Sequence, residues 1–271
     1  LEKNIRPVYV FDGAMPDLKQ KESSERRRKR EEAREEWEKL KEEGKISEAY
    51  SKATQSSKLT GEMIEESKEL LEAMGIPYIQ ASSEGEAQAA FMNSEGDVYA
   101  VGSQDWDCLL FGADRMVRNL TSRKTRKTSS GKREKVSQER IELQTVLEDL
   151  NISREQLVML GMLIGTDFND GVHGIGPKKG LKKVKEHDSL DSLLEDEEVE
   201  FESDNSPEAI FDFFMNPPVE DTDFSFDNPK NNRIEDILVN QHDFSSDRIE
   251  SKIKDLEKAL DSRQSGLGSF T

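Results

Sequence analysis

A continuous apolar run, Pro7-Val8-Tyr9-Val10-Phe11, stops at Asp12-Gly13. A short run with no polar interruption predicts a strand buried on both faces, as in a parallel sheet. A short strand is expected at Tyr78-Ile79, a longer one over Asp97 to Val101 and another over Met116 to Leu120. Helical periodicity fills the intervals. Leu59, Met63, Leu70 and Met74 form one stripe, with Gly75 placed to cap the helix and Pro77 forbidding its continuation. Further helices are expected from Ser83, over Ile141 to Leu150 and over Arg154 to Ile164. Strands alternating with helices predict an α/β fold, a mostly parallel sheet with flanking helices. From Gly165 onward the pattern is helical and loop-rich, broken at Asn216-Pro217-Pro218. Helices are expected over Arg233 to Val239 and Ser246 to Leu260. No internal repeat is visible.

Charge is distributed unevenly. The 271 residues carry a net charge of −18, with 35% charged and 33% apolar residues. Such an acidic sum is unlike a generic nucleic-acid binder, whose affinity rests on neutralising phosphates. Its placement matters more. Nine acids and no Lys or Arg lie between Asp188 and Asp204, whereas nine bases and one acid lie between Arg115 and Lys135. Five lysines stand between Lys178 and Lys185. Basic patches thus sit inside an acidic shell, a composition that suits a host with high internal salt. Lys19 to Lys45 holds 20 charged residues in 27, with a narrow stripe of Ala33, Trp37 and Leu40. It reads either as a solvated helix with i,i+4 ion pairs or as a mobile helical arch whose basic first half meets phosphates.

Six acids stand out by position. Asp12 follows the first strand, Glu84 and Glu86 open a helix after a strand, and Asp105 and Asp107 follow another strand. Asp167 follows a helix closed by Gly165. In an open parallel sheet ligands bind beyond the carboxyl ends of the strands, so five of the six are expected at one sheet edge. Clustered carboxylates repel and need cations to stay ionised together. Oxygen-only donors suit Mg²⁺ or Mn²⁺, and two such ions can assist phosphodiester hydrolysis. Each acid also has a plainer role. Ser83-Glu84-Gly85-Glu86 fits a helix capping box, and this is the stronger reading of that stretch alone. Asp105 and Asp107 fit first-turn helix acids, Asp12-Gly13 a turn, and Asp167 a solvated loop.

Other chemistries find no support. His173, His187 and His242 lack metal-site spacing, and Cys108, the only cysteine, has no partner for a disulfide or a zinc site. Its neighbours Leu109 and Leu110 predict a buried thiol. No phosphate-binding G-x-x-x-x-G-K-[ST] loop and no G-x-S-x-G elbow is present. No run is long or apolar enough to span a membrane, and no signal peptide is visible, so a soluble intracellular protein is expected. Gly171-Val172-His173-Gly174-Ile175-Gly176-Pro177-Lys178-Lys179-Gly180 is a tight turn opening a helix. Its glycine spacing differs from the dinucleotide fingerprint. The turn suits a phosphate at a helix N-terminus, with Lys178, Lys179, Lys182 and Lys183 adding charge. The plainer alternative is a helix connection with a solvated lysine face.

Several stretches, in order, resemble flap endonucleases, the archaeal ones most. They are Val8 to Gly13, Met74 to Tyr78, Ala81 to Gln88, Ser103 to Gly112, Arg118 to Thr121, Leu163 to Phe168 and Gly174 to Lys178. The resemblance implies a PIN-like nuclease core with a helical arch and a helix-hairpin-helix motif. It implies that Asp12, Glu84 and Glu86 hold one Mg²⁺ and Asp105, Asp107 and Asp167 a second, with Glu86 near both. Lys19 and Arg26 correspond to basic arch residues near the scissile phosphate. The turn with Gly174, Gly176 and Lys178 would contact the duplex backbone, with a K⁺ ion at the turn, and Lys179, Lys182 and Lys183 are expected to join it by their charge. Gln264, Leu267 and Phe270 resemble a sliding-clamp-binding box, with Thr271 where a second aromatic usually stands. Family members begin earlier, with a strand bearing a further acidic ligand, so a missing start is expected here.

The expected organisation is a nuclease core over 1–164, with the arch over 17–57, a helical region over 165–261 and a flexible tail over 262–271. The expected activity is Mg²⁺-dependent cleavage of 5′-flap DNA by a monomer, in replication and repair. The alternatives are a junction- and clamp-binding module without catalysis, and a relative acting on gapped, bubble or four-way-junction DNA. The compact distance between Gly13 and Met74 favours the flap branch, since XPG-type relatives insert long spacers there.

Overall fold

Thr60 begins the best-defined helix. Its hydroxyl accepts the Met63 amide, so α1 (Gly61–Ala73) starts there. It ends in a Schellman motif. The Gly75 amide donates to the Glu72 carbonyl and the Ile76 amide to Leu71, with Gly75 at φ +68°. The computed structural model describes residues 5–19, 28, 31–32, 35–37, 39, 59–121, 125–127, 133–201 and 203–267. Those described between 28 and 39 are helical. Arg26 and most of the expected arch lie outside the described residues.

The chain divides into two compact units. The first comprises Leu1–Phe11, Ala33–Gln80 and Thr222–Thr271. In it β1 (Tyr9–Phe11) pairs in parallel with β2 (Tyr78–Gln80), Val10 opposite Ile79. Burial on both faces was expected of β1, but Tyr9 is 48% exposed. The cause is that β2 is its only paired neighbour among the described strands. The apolar face of α1 meets α9 (Asn231–Glu235), a π-helical turn (Asp236–Gln241) and α10 (Ser246–Leu267). Ala73, Ile234, Ile237, Ile249, Ile253 and Leu256 form this core. Helix α10 runs past Ser262, where the sequence predicts a flexible tail.

The second unit comprises Asp12–Glu32 and Ala81–Asp221. Its elements are α2 (Gly85–Ser94), β3 (Val101–Gly102), α3 (Asp107–Leu110) and β4 (Arg115–Arg118). Then come β5 (Thr125–Lys127), β6 (Arg133–Lys135), β7 (Glu139–Glu142), α4 (Leu143–Leu150) and α5 (Arg154–Ile164). Last are α6 (Pro177–Glu186), α7 (Leu190–Leu194) and α8 (Pro207–Met215). β3 lies parallel to β4, and β7 antiparallel to β4 with Met116 opposite Ile141. Thus Ile141 belongs to a strand rather than to the helix expected there, and β5–β6 is an unexpected hairpin. No strand occurs after Gly165 among the described residues, as expected. Ser153 and Gln156 form a reciprocal capping box at the start of α5. The core gathers around α5, where Val158, Met159, Met162 and Leu163 are fully buried with Phe214 and Ile210 of α8. Gly180 lets α6 approach closely, since a Cβ there would stand 2.9 Å from Leu160.

Candidate metal centre and nucleic-acid interface

Residues 12–14 run against residues 81–85 closely enough to bring distant acids together. The Gly13 amide donates to the Ser83 carbonyl at 2.6 Å and the Ala14 amide to Ser82 at 3.3 Å. A Cβ on Gly13 would fall 2.0 Å from the Ala81 carbonyl oxygen, so only glycine permits this approach. Asp12 Oδ1 then accepts the Gly85 amide at 2.8 Å. This corrects the local reading of Ser83 to Glu86. The N-cap of α2 is Glu84 without a side-chain cap bond, and no capping box forms. Asp12, distant in sequence, satisfies the first turn and benefits from the helix dipole. Glu84 and Glu86 are thereby left to face Asp12. One carboxylate oxygen from each of the three lies within 4.8 Å of the others.

Asp105 and Asp167 lie in loops and Asp107 opens α3, all held by short polar contacts. Ser103 donates to Glu86 at 3.3 Å and accepts the Asp105 amide at 3.0 Å. Asp105 in turn accepts the Asp107 amide at 3.3 Å. Asp167 sits in a loop fixed by its neighbours. Thr166 and Asn169 exchange backbone and side-chain bonds, and the buried Asn169 amide donates to Met162 at 2.7 Å. Phe168 locks the loop by packing edge-on against Phe213 and Phe214. Lys19 Nζ bridges two parts of the cluster, 2.8 Å from Glu84 and 3.0 Å from Asp167.

Among the described residues Asp12, Glu84 and Glu86 are the acids that meet at ligand distance, while Asp105, Asp107 and Asp167 form no such group and are linked to the pocket by charge. Burial raises the Glu86 carboxyl above its usual value, and the charges of Asp12, Asp105 and Glu84 add to this. Asp107 is pushed up to about 7 by burial and by Asp105, Asp167 and Glu86, against the pull of Lys19. Burial opposes the Lys19 charge, but its bonds to Glu84 and Asp167 outweigh that and hold the ammonium above its ordinary value. Burial pushes the Cys108 thiol up to about 12, which makes it inert. Carboxylate donors gathered in this way fit hard divalent cations, which would relieve the mutual repulsion. Ser103, Thr166 and Asn169, absent from the expected site, support it. Their signal was only their closeness to Asp105 and Asp167 in sequence.

The glycine turn is preserved as an open surface. Val172 and Ile175 are buried beneath it, while Gly174, at φ +76°, and Gly176 have no atom within 4 Å of a notional Cβ. Pro177 opens α6 directly after Gly176, as expected of a first helical position. Lys178, Lys179 and Lys182 are exposed. Lys183 differs from expectation. Its ammonium is 2.6 Å from Asp196 and 2.9 Å from Glu198, so it pairs with the acidic stretch instead of facing solvent. Lys179 lies 3.8 Å from Glu198. Of the clamp residues, Gln264 and Leu267 fall in α10 and Phe270 lies outside the described residues.

Two family models match, an XPG N-terminal domain over residues 1–33 and an XPG I-region over residues 75–167. The latter spans Glu84, Glu86, Asp105, Asp107 and Asp167. A curated relative, Flap endonuclease 1 of Staphylothermus marinus, is 46% identical over 286 residues, covering all of this chain and 79% of the relative. The chain belongs to the flap endonuclease family. A solved flap endonuclease from Methanococcus jannaschii matches with 37% identity and a TM-score of 0.71, covering 97% of this chain and 78% of that one. The catalytic core of Rad2 in complex with a DNA substrate matches with 25% identity and a TM-score of 0.67, covering 92% and 79%. The flap endonuclease chain therefore has the PIN-like α/β nuclease fold expected from its sequence. No helix among its described residues is long and apolar enough to cross a membrane.

Proposed function

We propose that this chain is a structure-specific 5′ flap endonuclease and 5′–3′ exonuclease. It hydrolyses DNA phosphodiesters at single-strand/double-strand junctions in replication and repair. The observation that carries the reading is the meeting of Asp12, Glu84 and Glu86 within 4.8 Å, electrostatically coupled to Asp105 and Asp107. Asp12, Glu84 and Glu86 would hold one Mg²⁺, and Asp105, Asp107 and Asp167 a second, with Mn²⁺ as a substitute. Bound there, the ions supply an activated water and neutralise charge on the leaving oxygen.

The chain's own residues do the rest. Asp12 and Ser103 hold the carboxylates in place through the Gly85 amide and Glu86, so that on loading it is the Lys19 ammonium that would have to move away from Glu84 and Asp167. Lys19, and Arg26 beyond it in sequence, stabilise negative charge growing on the scissile phosphate. The Gly174–Gly176 turn and Lys178, Lys179 and Lys182 grip the duplex backbone, with K⁺ at the turn. Lys183 acts indirectly, by holding α6 against Asp196. Gln264, Leu267 and Phe270 serve a sliding clamp, and the enzyme works as a monomer.

The test is cleavage of 5′-flap, gapped, bubble and four-way-junction DNA with and without Mg²⁺. Metal-dependent incision near the flap junction, lost in Asp105→Ala, is expected. Tight flap binding with no turnover would instead identify a binding module.

A further inference from the structure

Trp106 stands in sequence between two of the acids but has no part in the chemistry above. It stands between Asp105 and Asp107, so its Cα is about 3.8 Å from the Cα of each. A large apolar ring is usually covered, yet 49% of this residue is exposed. The ring is not loose. The Arg118 guanidinium lies 4.2 Å from its centroid. Arg118 is anchored in turn, donating to the Gln104 carbonyl at 3.1 Å and lying 3.8 Å from the Glu139 carboxylate. It comes from β4, whose position is set by pairing with β3 and β7. The indole is therefore pre-oriented by a cation while much of its surface stays open.

We propose that Trp106, backed by Arg118, is a stacking platform for a nucleobase of the substrate strand beside the scissile phosphate. The proposal rests on the nuclease reading, which brings a phosphodiester to Asp105 and Asp107. A base is tied to that phosphate within one nucleotide, and Trp106 is tied to both acids by single peptide bonds. Stacking accepts every base, because each has a π-face. That suits an enzyme selecting junction shape over sequence. Ordering one nucleotide against a fixed ring also lowers the entropic cost of aligning its phosphate. Trp106 is thus a substrate-binding residue and Arg118 a positioning residue.

The chain has two tryptophans, Trp37 and Trp106, so Trp37→Phe leaves one reporting indole. This variant is titrated with 5′-flap DNA in Ca²⁺, and its emission is compared with the anisotropy of labelled DNA. Quenching with the same midpoint is expected. Trp106→Ala should weaken flap binding by roughly five- to a hundredfold, the range a single stacked base supplies, and Trp106→Phe should recover most of it. An abasic nucleotide beside the scissile phosphate should weaken binding of the unmutated chain and remove the effect of Trp106→Ala, a readout independent of whether that variant folds. DNA bound with unchanged emission, and with base removal without effect, overturns the platform while metal-dependent cleavage keeps the nuclease reading. Flap DNA neither bound nor cut overturns both.

Discussion

Removing one negative charge from the acid pocket should stabilise the protein when no divalent ion is present. Asp107→Asn is the clearest case. Its carboxyl is raised from an ordinary 3.8 to about 7 by burial, then by Asp105, Asp167 and Glu86. A raised acid binds its proton more tightly folded than unfolded. Stability is therefore lost as pH climbs from 3.8 through about 7. At about 1.36 kcal/mol for each tenfold change in proton affinity, the loss at pH 8 is at most about 4 kcal/mol. At about 2–4 °C per kcal/mol for a chain of this size, the ceiling is roughly 8–16 °C. Asparagine keeps the shape and removes the penalty. In chelator at pH 8, Asp107→Asn should melt several degrees above the parent, and near pH 4 the two should converge. Millimolar Mg²⁺ should raise the parent's midpoint more than the variant's, since a ligand stabilises the form that binds it. Thermal unfolding by circular dichroism at both pH values is the assay. A variant that melts below the parent in chelator at pH 8 would refute the account of mutual repulsion.

Further outcomes follow from other contacts. Gly75→Ala forces a side chain at φ +68° and sets Cβ 2.0 Å from the Asp227 carbonyl oxygen, so chemical denaturation should show a loss above about 1 kcal/mol. Lys178→Ala should reduce the dependence of log affinity on log salt by about 0.9 for the lost phosphate contact. Lys183→Met should leave that slope unchanged and lower the melting point instead, because Lys183 pairs with Asp196 and Glu198. Lys19→Met should cut the single-turnover rate of flap cleavage by a hundredfold or so, the scale of one lost charge-stabilising donor, with a much smaller effect on DNA binding.

The acid constellation was legible because each member sits beside a strong local signal, either a strand end, a helix start or a glycine stop. What closed the pocket was not. The Asp12 bond to the Gly85 amide spans two motifs, and sequence gave no reason to prefer it over the capping box at Ser83. Helix α5 was readable from its period and Gly75 stopped α1 as its position implied, but the stripe expected of α1 was misplaced, since Leu59 and Met63 are exposed and Leu71 and Ala73 are buried instead. The strands β5 and β6 were hidden because Thr125-Arg126-Lys127 and Arg133-Glu134-Lys135 carry no alternating apolar residues. Ile141 misled for the opposite reason, since an apolar residue just before a helix fits either period. Lys183 looked like a phosphate ligand among lysines, and its partner lies in the acidic stretch that charge counting had set apart from it.

Lys19 gives the pocket an occupant of its own. With its ammonium against Glu84 and Asp167, the carboxylates have a counter-ion tethered to the same polypeptide. A divalent cation bound by these acids would have to displace that ammonium. The freed amine would be left beside the pocket, so occupancy of the acids and availability of the lysine would be linked through one side chain.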